Sequence, residues 1–132
     1  MIVLLDLNYT LVANSEEKRS PFIRQIEREK YREWLLHLIK DQYVILITAR
    51  PAKYSEATLK RIERLLDWQP EEAYFNDTGW RPQVFKSYVL RKKIFPRHGR
   101  IKDIHYLAIE SNPKTRAMYA GYRIPCLMVE NQ

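Results

Sequence analysis

The chain alternates short apolar runs with longer segments of helical pattern, and this alternation constrains its fold more than any other feature. The apolar runs occupy residues 2–7, 43–48, 72–76, 105–110 and 126–129. Short runs bounded by turn signals are typical of strands buried on both faces of a parallel sheet. Parallel strands need crossover connections, so the sequence predicts a three-layer, Rossmann-like α/β fold with about five parallel strands flanked by helices.

Four helices are predicted between these strands. Pro21 is expected to open a long helix that ends near Lys40, with apolar residues at Phe22, Ile26, Trp34, Leu35, Leu38 and Ile39. The other helices are expected over residues 54–68, 84–95 and 113–121. The connections that follow the first and third strands are short, which leaves no room for a cap domain over the sheet.

Length, charge and cysteine content limit the class of protein. The 132 residues fit one domain, predicted to span residues 1–132. The formal net charge of +7 favours an anionic partner such as nucleic acid, although a basic surface that only confers solubility explains it equally well. The single cysteine, Cys126, excludes an internal disulfide. No apolar run has the roughly 18 residues of a membrane span, and Asp6 interrupts the first run, so we expect a cytoplasmic protein without a secretory signal.

Polar residues terminate three of the predicted strands: Asp6, Thr48 and Glu110. In doubly wound sheets, ligands bind at the carboxyl ends of the strands. At such a position Asp6 can act as a nucleophile or a metal ligand, Thr48 can bind a phosphoryl oxygen, and Glu110 can help to hold a divalent cation. Each also has an ordinary structural explanation, because short polar side chains end strands and charged ones favour helix termini.

Lys86 adds a cation to this set. It ends the segment "RPQVFK" and can neutralise charge on a phosphoryl group, although a lysine on a helix is usually solvated. The segments "LLDLNYTLV", "ILITAR", "RPQVFK" and "AIESNP" occur in the order of the four motifs of the haloacid dehalogenase (HAD) superfamily, which the chain resembles over nearly its whole length. More narrowly, "TARPAKYSEAT", "FNDTGWRPQVFK" and "SNPKTRAMYAGYRIPCLMV" resemble the phosphatase domains of polynucleotide kinase/phosphatase proteins.

The resemblance implies a role for each residue of the set. Asp6 would attack a phosphorus atom and form an aspartyl-phosphate, and would bind Mg²⁺ together with the backbone carbonyl of Asn8. Thr48 and Lys86 would complete the cradle around the phosphoryl group, and Thr10 would support the first loop. The substrate would be a polynucleotide with a 3′-phosphate end, or a nucleotide.

Two positions depart from the superfamily pattern. Asn8 stands where most phosphatases of the superfamily have an Asp that protonates the leaving oxygen, and loss of a general acid costs roughly 10²- to 10⁴-fold in rate. When Pro113 is aligned with the fourth motif, Glu110 takes the first acidic position and Ser111 the second, which is usually a metal ligand. Asn112 compensates only partly, so we expect weaker binding of Mg²⁺.

Three explanations of Asn8 remain open from the sequence. The protein is an active phosphotransferase that needs no acid or recruits a loop carboxylate, for which the candidates are Glu16, Glu17 and Asp77. Alternatively, it is a degenerate relative that binds phosphate or nucleic acid without turnover. In the third explanation, Asn8 was introduced in place of a natural Asp.

The segment 81–102 is strongly basic, with eight Lys or Arg residues and no carboxylate. Because it contains Lys86, we expect its charge to lie beside the site and to bind nucleic acid, with Trp80, Tyr88 and Phe95 as stacking groups. A solvated, basic helix end is the alternative. Arg50 and Arg81 flank the expected site and are predicted to contact a substrate phosphate. A separate possibility is that exposed aromatic residues such as Tyr119 and Tyr122 bind a partner.

Overall fold

A parallel sheet of five strands forms the centre of the molecule in the computed structural model, which describes residues 1–100 and 105–129. The strands are β1 (Ile2–Leu5), β2 (Tyr43–Pro51), β3 (Glu72–Asn76), β4 (Tyr106–Ile109) and β5 (Cys126–Leu127). Their order in the sheet is β3-β2-β1-β4-β5, and every neighbouring pair is parallel. The predicted α/β fold with about five parallel strands is therefore confirmed.

Helices follow the strands along the chain. They are α1 (Phe22–Ile26), α2 (Glu33–Ile39), α3 (Ser55–Leu66), α4 (Pro82–Val89), α5 (Phe95–His98) and α6 (Pro113–Gly121). A π-helical segment, Leu90–Ile94, joins α4 to α5, and a single 3₁₀ turn, Ala52–Tyr54, precedes α3. Among the described residues, no helix is long and apolar enough to cross a membrane.

Two apolar cores lie on opposite faces of the sheet, because alternate residues of a strand point to opposite sides. Ile2 and Leu4 of β1 belong to the core that is covered by α4, α5 and α6, where Phe85 and Tyr119 pack. Val3 and Leu5 belong to the other core, which α2 and α3 cover. The strands are buried on both sides, which explains why their sequences are almost continuously apolar.

The long helix expected over residues 21–40 is wrong, because the chain leaves the helical conformation between α1 and α2. Tyr31 there forms an antiparallel bridge with Val12, and the Arg32 amide donates to the carbonyl of Leu11 over 2.8 Å. Pairing with the loop after β1 thus replaces the helical hydrogen bonds. Trp34 and Leu38 were expected on the apolar face of this helix, but they are 54% and 73% exposed.

The C-terminal part also differs from expectation. The last strand was expected over residues 126–129, but it ends at Leu127. Tyr119 was considered as an exposed contact for a partner; this interpretation is wrong, because its ring is buried in the core and only 2% exposed. Tyr122 is half-buried and packs against the same core.

The strand order locates the functional edge of the sheet. The chain builds β1, β2 and β3 toward one side, and then returns to place β4 against the other side of β1. Connections leave β1 and β4 in opposite directions, so a crevice opens beyond the carboxyl ends of these two strands. Asp6 follows β1 and Glu110 follows β4, so both residues line this crevice.

Candidate active site

Asp6 lies at the carboxyl end of β1, where its side chain is held from two sides. Thr10 Oγ1 donates to Asp6 Oδ2 over 2.9 Å, and Lys86 Nζ donates to Asp6 Oδ1 over 2.9 Å. The first contact is local, because the chain after Asp6 turns once and the Leu11 amide returns to the Asp6 carbonyl. Tyr9 has a φ of 60° within this turn, a left-handed conformation that costs energy for a residue with a side chain.

Lys86 forms the centre of a buried three-charge cluster. Its ammonium donates to Asp6 and, over 2.6 Å, to Glu110 Oε2, and the Lys86 side chain is only 2% exposed. Burial opposes the charge, but the two carboxylates together hold the pKa of Lys86 above its ordinary value. Lys86 reaches this place because α4 begins at the same edge of the sheet, with Pro82 in its first turn. With both carboxylates ionised, the cluster has a net charge of −1.

The pKa of the Glu110 carboxyl group is shifted by its place in the cluster. Burial raises the pKa of Glu110 to about 7, while the Lys86 ammonium lowers this pKa and the Asp6 carboxylate raises it. Glu110 Oε1 accepts the backbone amides of Ser111 and Asn112, each over 3.1 Å. Glu110 does not cap α6, because the Asn112 side chain accepts the first amides of that helix.

A cavity of about 410 Å³ opens over the cluster. Asp6, Asn8, Thr48, Lys86, Glu110 and Ser111 are among the residues that line it. Thr48 was expected to end its strand, but β2 continues to Pro51, and the hydroxyl of Thr48 accepts the Arg50 amide over 3.1 Å. The structure therefore brings together all six of these predicted residues at one edge of the sheet, with Thr10 directly behind Asp6.

Arg50 is placed differently from its expected position. Its guanidinium is fully buried and makes a two-point ion pair with Glu29, in which NH1 lies 3.0 Å from Oε1 and NH2 contacts Oε2. NH1 also donates to Thr58 Oγ1 over 2.9 Å, and NH2 to Asn8 Oδ1 over 2.8 Å. Arg50 does not line the cavity, and its expected contact with a substrate phosphate stays a prediction.

Ser111 was considered as a metal ligand, and three loop carboxylates as substitute acids, but their positions do not favour these roles. Ser111 Oγ lies 2.7 Å from Thr10 Oγ1 and 2.9 Å from the carbonyl oxygen of Tyr9, so it supports the loop after β1. The side chains of Glu16, Glu17 and Asp77 are exposed, and none of them lines the cavity. The structure therefore offers none of these three carboxylates as a substitute acid at the site.

The oxygen atoms available to Mg²⁺ are fewer than the resemblance implies. Within residues 1–100 and 105–129, no group of three or more His, Cys, Asp or Glu side chains could hold a metal ion. Glu110 is engaged by Lys86 and two amides, and Ser111 by Thr10 and Tyr9. The two Asp6 oxygens also accept hydrogen bonds, from Lys86 and Thr10, but each keeps a further lone pair, so Asp6 and the backbone carbonyl of Asn8 would hold the ion. This donor set suits Mg²⁺, which commonly uses one or two carboxylates and keeps several waters.

A second cavity, also of about 410 Å³, lies beside the first and shares Pro82, Asn112 and Pro113 with it. Arg81, Gln83 and Lys114 complete its lining, so it contains two basic side chains and no carboxylate. Arg81 is exposed and lines this second cavity, but does not line the first.

The basic segment was expected to lie beside the site, but its remaining part does not. The helical run from α4 to α5 is about 25 Å long at 1.5 Å per residue. It crosses the sheet and ends near Glu72, the first residue of β3, which contacts His98 at 2.5 Å and Arg97 at 3.6 Å. Among the described basic residues of this segment, Arg81 and Lys86 alone line the two cavities at the functional edge. Residues 101 and 102 lie outside the described part of the chain.

Three residues with structural importance for the site were not anticipated from the sequence. Glu29 pairs with Arg50, and Thr58 accepts from the same guanidinium. Arg32 NH1 donates to the carbonyl oxygens of Tyr9, Thr10 and Val12, and so holds the loop that carries Asn8. Each belongs to an unremarkable polar segment, and no spacing in the sequence singles it out.

Comparisons with known proteins support the fold. No family model and no curated protein matches the chain. Among solved structures, one chain from the Pnkp1/Rnl/Hen1 RNA repair complex is similar over 98% of this chain, with a TM-score of 0.78 and 18% identity. A chain from a second structure of the Pnkp1/Rnl/Hen1 complex has a TM-score of 0.72 and 16% identity, also over 98% of this chain. The chain spans only 42% and 45% of the length of these neighbours.

Proposed function

We propose that this chain is a Mg²⁺-dependent phosphatase or phosphotransferase of the HAD type, which acts on the 3′-phosphate ends of polynucleotides or on nucleotides. One observation carries the proposal: the Lys86 ammonium lies 2.9 Å from the Asp6 carboxylate at the carboxyl end of β1, beside an open cavity. A carboxylate that is fixed by Thr10 and an ammonium is suited to attack a phosphorus atom while the ammonium offsets the charge of the phosphoryl oxygens.

The chemistry assigned to Asp6 proceeds in two steps. A carboxylate oxygen of Asp6 forms a bond to phosphorus, and the bond between phosphorus and the substrate oxygen breaks. The departing oxygen takes the bonding electrons and a proton from water. A water molecule then attacks the aspartyl-phosphate, which releases orthophosphate and restores the Asp6 carboxylate. If a hydroxyl group of an acceptor replaces water, the second step is phosphotransfer.

Mg²⁺ is part of the proposal because of the charge balance at the site. Asp6, Glu110 and Lys86 have a net charge of −1 when both carboxylates are ionised, and this charge repels a phosphate anion. The Asp6 carboxylate and the backbone carbonyl of Asn8 would hold the ion, which supplies positive charge next to the phosphoryl oxygens. The hydrogen bond from Lys86 orients the Asp6 carboxylate.

A polynucleotide substrate is supported by the surroundings of the site. The second cavity continues from the first and offers Arg81 and Lys114, which are suited to the next phosphate of a nucleic-acid strand. The two similar chains come from an RNA repair complex, which agrees with a substrate of this class. Both cavities are open to solvent on the surface, as a large substrate requires.

The test is phosphate release from a 3′-phosphorylated oligonucleotide in the presence of Mg²⁺. We expect release by the protein and none by Asp6→Asn, which keeps the shape of the side chain but removes the nucleophile. A phosphorylated Asp6 should be detectable by mass spectrometry after rapid acid quenching. Equal activity of Asp6→Asn and the unchanged protein would contradict the assignment of Asp6.

A second candidate function is binding of phosphate or nucleic acid without turnover. It is favoured by Asn8, which cannot transfer a proton, and by Ser111, whose hydroxyl supports a loop. This alternative predicts salt-sensitive binding of the oligonucleotide with no phosphate release, either by the protein or by Asn8→Asp. Activity of Asn8→Asp alone would indicate that the site has lost only its acid.

A further inference from the structure

The orientation of the Asn8 side chain is determined by its neighbour. Arg50 NH2 lies 2.8 Å from Asn8 Oδ1, and a guanidinium has only hydrogen-bond donors. The amide oxygen of Asn8 must therefore face Arg50, and the NH₂ group must face away from it. Asn8 lines the cavity over Asp6, and within the described part of the chain its Nδ2 has no hydrogen-bond partner.

Arg50 is itself held rigidly. Glu29 grips the guanidinium at two points, and Thr58 accepts a third hydrogen bond from NH1. The Arg50 and Glu29 side chains are 0% and 2% exposed, so the ion pair is shielded from solvent; the buried Arg50 Nε has no hydrogen-bond partner among the described residues. A planar guanidinium fixed in this way retains little freedom, and its remaining donor on NH2 is directed at Asn8.

We propose that Arg50, anchored by Glu29, is a positioning residue that turns the amide of Asn8 so that its NH₂ group donates to an oxygen of the bound phosphoryl group. This inference rests on the proposed phosphate site at Asp6. Asn8 then provides two N–H donors at the place where a general acid is absent. These donors stabilise negative charge without losing a proton.

The same geometry makes the substitution of Asn8 by Asp unfavourable for phosphate binding. An Asp side chain at this position would face Arg50 as a second carboxylate beside Glu29. It would replace two donors with a negative charge at the edge of a cavity whose lining has a net charge of −1 when Glu110 is ionised. The positioning proposal therefore predicts weaker binding of phosphate by Asn8→Asp, whereas a site that has simply lost its acid should gain turnover.

The test uses inorganic phosphate with Mg²⁺ as the probe and follows the side-chain amide signals of Asn8 by ¹⁵N–¹H NMR. We expect the Asn8 NH₂ signals to shift on titration, together with backbone signals near Asp6. Asn8→Ala should weaken phosphate binding by about tenfold to a hundredfold, as loss of a hydrogen bond to a charged group does. Arg50→Lys keeps the ion pair with Glu29 but loses the planar guanidinium that also contacts Asn8. It should weaken phosphate binding by about twofold to tenfold.

Arg61→Lys is the matched control, because Arg61 donates to the Glu29 carbonyl and does not contact Asn8. It should leave both phosphate affinity and the Asn8 signals unchanged. If phosphate shifts the signals around Asp6 but not those of Asn8, or if Arg50→Lys binds as the unchanged protein does, the positioning role is wrong while the phosphate site stands. If phosphate shifts no signal in the site, the proposed function and this inference both fail.

Discussion

Lys86 and Asp6 are 80 positions apart in the chain, and yet the Lys86 Nζ atom lies 2.9 Å from Asp6 Oδ1. The contact joins the first turn and a half of α4 to the end of β1, and Glu110 at the end of β4 accepts from the same ammonium. Three elements are therefore tied together by one buried cation. The predictions below test what this cation does, and what its surroundings contribute.

Removal of the cation should destabilise the fold. Lys86→Met leaves two buried carboxylates without their counterion, and breaking a buried pair in this way costs about 3–5 kcal/mol. We expect a loss of that size in the free energy of unfolding, measured by urea denaturation at pH 8. The control is Lys60→Met on α3, where the side chain is 74% exposed, and a change within about 0.5 kcal/mol is expected. Equal stability of the two variants would show that the buried cluster is not coupled to folding.

Mg²⁺ should strengthen the binding of phosphate. Above the pKa of Glu110, which is about 7, the cluster has a net charge of −1, so an added cation offsets the repulsion of the anion. We expect at least about a tenfold difference in the dissociation constant, or 1.4 kcal/mol, between solutions with Mg²⁺ and solutions with a chelator. Isothermal titration calorimetry measures both values. The same affinity in both solutions would contradict the proposed place of the ion beside Asp6.

Arg81 and Lys114 should bind the strand next to the reacting end. Replacing both with Gln is expected to weaken binding of a 3′-phosphorylated oligonucleotide and to lower the slope of affinity against salt concentration by about 1 per lost contact. Inorganic phosphate should bind as before. The matched control is Arg91→Gln with Lys92→Gln on the segment between α4 and α5, which should leave both measurements unaltered. A larger effect of the control pair would place the nucleic acid along the helical run instead.

Glu72 should make stability depend on pH. Burial raises the pKa of Glu72, but hydrogen bonds from Tyr74, Tyr43 and His98 outweigh this and hold it below its ordinary value of 4.5. Its ionised form therefore stabilises the fold above about pH 4.5, and this contribution is lost as the pH falls through the lowered pKa. Glu72→Gln should cost about 1–2 kcal/mol at pH 7, and less at pH 3.

The control for that experiment is Glu16→Gln, since Glu16 is exposed. Its free energy of unfolding should follow that of the unchanged protein at every pH. Thermal or urea denaturation between pH 3 and pH 8 gives the comparison. A constant difference between Glu72→Gln and the unchanged protein over this range would show that the carboxylate does not titrate with folding.

Arg32 should control the loop that carries Asn8. Its NH1 group contacts three carbonyl oxygens of the loop, so Arg32→Met removes charged hydrogen bonds worth about 1–3 kcal/mol in total stability. We expect faster hydrogen exchange of the amides of residues 9–12, and little change in β2 and β3. Arg28→Met, at an exposed position nearby, should leave the exchange of these amides as it is. Unaltered exchange in the Arg32 variant would assign the order of the loop to its other contacts, which are the hydrogen bond from the Tyr9 amide to Ser15 Oγ over 2.7 Å and that from Thr10 to Asp6.

The strands and their arrangement were predictable because each strand is an apolar run and the polar residue after it marks the functional edge. Asp6 and Glu110 were recognisable on that basis, and Lys86 from its place in an ordered set of motifs. The break between α1 and α2 was not predictable, since it results from pairing of Tyr31 with Val12 across the chain. Helical periodicity alone continues through that point.

The contacts of Arg50 could not be predicted from the sequence for a related reason. Its position near the end of β2 suggests a substrate contact, and only the folded structure shows that Arg50 forms an ion pair with Glu29. Pairing between charged residues 21 positions apart depends on how α1, β2 and α3 pack, and many other pairings have the same spacing. Tyr119 was misjudged in the same way, because a helix of weak amphipathic pattern does not reveal its buried face.

The helical run from α4 to α5 forms ion pairs near both of its ends. Near its start, Lys86 contacts the carboxylates of Asp6 and Glu110. At its end, Arg97 and His98 contact the carboxylate of Glu72. Because the run is continuous over about 25 Å, we expect a change at Glu72 to alter the placement of Lys86 as well. Substitutions of Glu72 should therefore be tested for their effect on phosphate binding at Asp6 as well as on folding.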